Sequence, residues 1–180
     1  MRWLAKFIYH KILGWKVTGF SDFENVKKAV IIAVPHTSWH DFYIGILVRS
    51  VIGIKTSFVG KKSLFKFPYG WFFRWLGGSP VERKSNENQV EAIAKLFEEK
   101  EVFRMGMSPE GTRKKVDKWR TGFYYIAKTA NVPIVMFTLD FENKTNHFSE
   151  PFYPTDDKEA DFEFMRSFYK GIKGKVPEYS

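Results

Sequence analysis

Apolar positions along this chain change period several times, and each change marks an element. In residues 1–15, Trp3, Leu4, Phe7, Ile8, Ile12 and Leu13 recur at helical spacing, with Arg2, Lys6, His10 and Lys11 between them. The pattern predicts a basic amphipathic helix, suited either to a membrane interface or to the protein's own core. Residues 29–34 are continuously apolar and rich in β-formers, a buried strand that stops at Pro35-His36-Thr37-Ser38. A helix is expected over 38–52, with Ser38 as N-cap and Asp41 three residues on, the spacing of a capping box. Further strands are expected at 54–59, 80–82, 102–107 and 132–139, alternating with helices over 67–76, 88–100, 121–130 and 157–169. Gly77-Gly78 suits the end of the second of these five helices.

This alternation predicts an α/β fold with a mixed, largely parallel central sheet flanked by helices and preceded by the N-terminal amphipathic helix. In such sheets ligands gather at the carboxyl ends of strands, where Pro35-His36 and Pro109-Glu110 fall. The chain has 180 residues and neither repeat nor linker, so one domain over 1–180 is expected.

Composition narrows the function. The absence of Cys excludes disulfides, thiolate metal sites and a Cys nucleophile. A net charge of +9 predicts an anionic partner, and 19 Phe, 6 Trp and 8 Tyr suit a membrane interface. No apolar run reaches the roughly 18 residues of a spanning helix, and the N-terminus lacks the features of a signal peptide. A chain that lies on a membrane without crossing it fits both observations.

Three clusters could carry chemistry. His36 ends a buried strand and Asp41 lies one turn into the next helix, close enough for the carboxylate to orient the imidazole as a general base. By spacing alone the blander reading is stronger, with Asp41 capping the helix and His36 an ordinary loop histidine. A metal held by His36 and His40 would need a third ligand and a Glu where the chain has Thr37, so none is expected. The second cluster, Glu110-Gly111-Thr112-Arg113, combines close backbone approach, a hydroxyl and a guanidinium suited to phosphate. The third, residues 77–83, delivers Arg83 after a Gly-rich turn.

Taken in order, these clusters resemble the motifs of the lysophospholipid acyltransferase family, which includes the glycerol-3-phosphate and 1-acylglycerol-3-phosphate acyltransferases. His36-Thr37-Ser38-Trp39-His40-Asp41 matches the His-four-residues-Asp motif, and Gly77 to Arg83 resembles the second. Pro109-Glu110-Gly111-Thr112-Arg113 is the complete third, and Val132-Pro133-Ile134-Val135 the fourth. The resemblance implies that His36 deprotonates an acceptor hydroxyl while Asp41 orients it. It also implies that Arg83, Glu110, Gly111, Thr112 and Arg113 hold an anionic lyso-lipid acceptor.

The donor implied is acyl-CoA or acyl carrier protein, used as co-substrate with no cofactor, and the place is the cytoplasmic face of a membrane. Ser79-Pro80 and Ser108 depart from the family pattern and leave the acceptor open, a non-glycerophosphate lipid hydroxyl included. A thioesterase or lipid hydrolase would share His36 and Asp41. A basic module binding nucleic acid or acidic lipid is the non-enzymatic alternative, and the basic pairs at loop positions beside the site favour small anionic ligands over nucleic acid.

Overall fold

The computed structural model describes residues 2–81 and 86–180. Numbered along the chain, the strands are β1 (Lys16–Gly19), β2 (Lys28–Val34), β3 (Ser57–Lys61), β4 (Gly78–Val81), β5 (Phe103–Met107), β6 (Ile134–Thr138) and β7 (Thr145–Phe148). The helices are α1 (Arg2–Lys6), α2 (His40–Ile52), α3 (Gly70–Trp75), α4 (Asn86–Glu99), α5 (Gly122–Thr129) and α6 (Lys158–Phe168). α1 continues as a π-helical turn over Phe7–Ile12.

The strands form one seven-stranded sheet in the order β1-β7-β6-β2-β5-β3-β4, parallel from β6 to β4. β7 joins β6 antiparallel and β1 joins β7 parallel, so the sheet is mixed as the element pattern predicts. β2 lies between β6 and β5 and is apolar throughout because both its faces are covered. Its alternate residues serve two cores. Val30, Ile32 and Val34 pack with α4, α5 and α6 on one face, and Ala29 and Ile31 with α1 and α2 on the other. α3 belongs to the second face, since right-handed crossovers between parallel strands running the same way along a sheet place their helices together. Arg49 of α2 fastens it there by donating to the Leu76 carbonyl at 2.6 Å.

Several boundaries differ from expectation. The helix expected from Ser38 begins at His40, and the strand expected at 54–59 lies at Ser57–Lys61. The aromatic helix expected over 67–76 is confined to Gly70–Trp75. Gly77 follows it with a φ of 91°, the left-handed conformation a helix end requires. β1 and β7 have no counterpart in the pattern reading. The predicted N-terminal stripe is not the buried face: Trp3, Leu4, Phe7 and Ile12 are exposed and Ile8 and Leu13 half-buried, whereas Ala5 and Tyr9, outside the stripe, are buried in the core they share with α2. Among the described residues no helix is long and apolar enough to cross a membrane.

Candidate active site

β2 delivers His36 to the carboxyl edge of the sheet, and α2 starts four residues later. Its first turn carries Asp41, whose negative charge the helix N-terminus favours. The imidazole Nδ1 lies 2.8 Å from Asp41 Oδ2. An ionised carboxylate can only accept, so Nδ1 carries the proton and Nε2 keeps a free lone pair. Asp41 is buried, its side chain 3% exposed, while that of His36 is 26% exposed, enough for a reactant to reach the ring.

The same Oδ2 accepts the main-chain N–H groups of Thr37 and Ser38, both at 2.8 Å. The cap and the imidazole partner are therefore one carboxylate, and the two readings of the spacing coexist. The Ser38 hydroxyl in turn accepts the His40 N–H at 3.3 Å, while Trp39 at the cap position makes no side-chain cap bond. His40 turns away from His36, with Nδ1 2.8 Å from Ser38 Oγ and its ring against Trp39 and Tyr43. Among the described residues no three His, Asp or Glu form a group that could hold a metal ion.

The neighbouring strand β5 runs into Ser108-Pro109-Glu110. Glu110 points inward, and its Oε2 accepts the His36 main-chain N–H at 2.7 Å and the Ser108 hydroxyl at 3.1 Å. Burial raises the Glu110 carboxyl above its ordinary range, and these two hydrogen bonds offset part of that rise. Ser108, where the family pattern has Phe, thus holds the carboxylate that holds the His36 loop. Gly111 has a φ of 64°, the left-handed region that favours glycine, and its open Cβ position lets the Arg120 side chain lie close against the loop. Arg120 closes the loop by donating its N–H to the Pro109 carbonyl at 2.8 Å. Thr112 is half-buried, its hydroxyl accepting the Lys114 N–H at 3.4 Å, and Arg113 is exposed. Arg83 lies outside the described residues. Val81, at the end of β4, pairs with Lys61 of β3 at the sheet's edge.

Three contributions were invisible to motif reading: the Ser108 bond, the Arg120 closure and the chain's last segment. Val176 donates its N–H to Thr37 Oγ1 at 3.1 Å, and Gly174 packs so closely on Thr37 that a Cβ would stand 2.5 Å from its hydroxyl. Tyr179 then forms one wall of a cleft of about 170 Å³ that also contacts Pro35, Glu110, Lys115 and Trp119. The glycine at 174 was the available signal, although nothing local tied it to Thr37.

A buried acid that orients a half-exposed histidine, beside a second loop carrying Pro-Glu-Gly-Thr-Arg, narrows the kinship that comparison with known proteins must account for. The family described as acyltransferase matches residues 15–139, well over half the chain and both loops. The chain belongs to the acyltransferase family. Two relatives from this family's chemistry, each described as a 1-acyl-sn-glycerol-3-phosphate acyltransferase, come from Salmonella typhimurium (strain LT2) and Salmonella typhi. Each is 28% identical over 134 residues, covering 70% of this acyltransferase-family chain and 53% of the relative. The chain therefore spans about half the length of the curated relatives it matches. No solved structure is significantly similar to it.

Proposed function

We propose that the protein is an O-acyltransferase that moves a fatty acyl group from acyl-CoA or acyl carrier protein to a lipid hydroxyl. The observation that carries this reading is the 2.8 Å bond from His36 Nδ1 to buried Asp41, which leaves Nε2 free to take a proton. Nε2 removes the acceptor's hydroxyl proton as its oxygen attacks the thioester carbonyl. The tetrahedral intermediate collapses with loss of the thiolate, which recovers the proton from the imidazolium. An ester and a free thiol result, and the acceptor hydroxyl takes the place of a protein nucleophile.

The exposed Arg113 and the half-buried Thr112 beside it are suited to an acceptor phosphate, with Arg83 as their expected companion. Glu110 acts here through the His36 amide, keeping the base at the strand end. The relatives' description supports a lyso-lipid acceptor such as 1-acylglycerol-3-phosphate, and the cytoplasmic face of a membrane is the proposed place of action. Labelled acyl-CoA or acyl carrier protein, incubated with the protein and a panel of lyso-lipids, tests this. Acylated lipid should form in step with free thiol. Release of free fatty acid at the same rate with or without acceptor would overturn transfer in favour of hydrolysis.

A further inference from the structure

The net charge of +9 is not spread over the chain. Residues 1–81 hold 12 of the 29 Lys and Arg and 3 of the 20 Asp and Glu, an excess of nine. Residues 82–180 hold 17 of each and balance. Between positions 42 and 81 there are six Lys and Arg and no Asp or Glu at all. The topology makes this asymmetry spatial, because α1, α2 and α3 cover one face of the sheet while α4, α5 and α6 cover the other.

Exposed aromatic side chains are more numerous on the basic half, although Tyr125, Tyr153, Phe164 and Tyr179 are exposed on the other. Around α3, Phe67 is 96% exposed and Tyr69, Trp71 and Trp75 are each close to 70%. On α1, Trp3 is 76% exposed and stacks on the exposed Phe7. Trp39, three residues from His36, is also exposed. Rings that stand in water cost solvation free energy unless something covers them, and a stretch rich in lysine and arginine with no Asp or Glu of its own favours an anionic cover.

We propose that the α1–α3 face docks on an anionic lipid bilayer, with the aromatic ridge at residues 67–75 as a foothold separate from the N-terminal helix. Aromatic rings amid basic residues have the composition of a segment that seats at the headgroup boundary. The balanced α4–α6 face has no such attraction and turns to water. Docking this way brings the His36 edge of α2 beside the surface that holds a lipid acceptor. The inference deepens the proposed function by naming its partner surface, yet it stands on charge and exposure, and its test reads binding instead of turnover.

The full chain is sedimented with vesicles of phosphatidylcholine and phosphatidylglycerol in equal parts, and with phosphatidylcholine alone. Binding should favour the mixed vesicles and weaken with salt. The double variant Trp71→Ser/Trp75→Ser should lose about tenfold or more in partitioning, as should Trp3→Ser/Phe7→Ser, since each removes rings from the interface. Tyr153→Ser, an exposed ring in the balanced half, should leave partitioning unchanged. Phe67→Ser repeats the test at a side chain almost wholly in solvent, so a folding defect in the double variant does not shelter the proposal.

Undiminished binding in both the Trp71→Ser/Trp75→Ser and Phe67→Ser variants would overturn the second foothold. Tighter binding to oligonucleotide than to mixed vesicles at matched salt would assign the face to nucleic acid instead. A dimer that the double variant abolishes, without vesicle binding, would assign it to a second copy. Acyl transfer to detergent-dispersed lyso-lipid separates the two readings. It should survive Trp71→Ser/Trp75→Ser, and its absence with vesicle binding intact would count against the catalytic reading alone.

Discussion

After β2 the chain turns within a few residues, and the His36 ring and the main-chain amides of His36, Thr37 and Ser38 all have carboxylate partners. After β5 the connection is longer, held by Glu110 and Arg120 at its ends and by Trp119, which packs on Phe123 and Tyr169. Thr112 between them is half-buried and Arg113 exposed. The groups around His36 are thus fixed by hydrogen bonds, while Arg113 is left in water. A guanidinium loses little there until a phosphate replaces its hydration.

The comparison breaks most visibly at the base. His36→Ala is expected to lower acyl transfer by about 10²- to 10⁴-fold with little change in the thermal unfolding curve, because the imidazole makes one hydrogen bond to a carboxylate that keeps the Thr37 and Ser38 amides. Asp41→Ala should match that loss and also destabilise the fold, since the Thr37 and Ser38 amides lose their acceptor. Each buried donor left unsatisfied costs about 1–3 kcal/mol, measurable by urea denaturation. Arg113→Ala should raise KM for a phosphate-bearing acceptor about tenfold or more and leave stability alone. Earlier melting in that variant would show the second loop to be as tightly wired as the first.

Gly111→Ala tests the fixed end of that loop. Its left-handed backbone costs an ordinary residue roughly 1–2 kcal/mol, so the melting temperature should fall. The smallest effect concerns pH. The folded protein holds the Glu110 carboxyl above its ordinary value of 4.5, so the native state binds its proton more tightly than the unfolded chain does. Stability therefore falls as pH rises from that ordinary value through the raised one. Glu110→Gln keeps an acceptor for the His36 amide and should flatten this slope above the ordinary carboxyl value. An unchanged slope would assign it to other groups.

Much of this was legible because the parallel core writes itself as short, largely apolar, β-rich runs: residues 29–34, 102–107 and 132–139 each read as strands and lie within a residue or two of β2, β5 and β6. β1 and β7 were not legible. Each is four residues long, and they pair in parallel across more than a hundred positions, so no turn signal links Lys16 with Thr145. The start of α2 was placed two residues early because Ser38 has the chemistry of a cap, and it does accept the His40 amide, but Asp41 holds the Ser38 amide outside the helix. Ser108 was read only as a departure from a family pattern, since a hydroxyl's partner two residues away depends on how the turn folds. Thr37 gave no signal, because its partner Val176 lies 139 positions further on.

That last contact has a consequence for the order in which the protein is made. The His36 turn is held by Glu110 from 74 positions downstream and by Val176 through Thr37. A chain emerging from the ribosome can complete β2 and α2 early, but the turn between them has no outside support until β5 has formed, and none at Thr37 until residue 176 has emerged. The motif is local in sequence, whereas its rigidity depends on residues 74 and 139 positions further along.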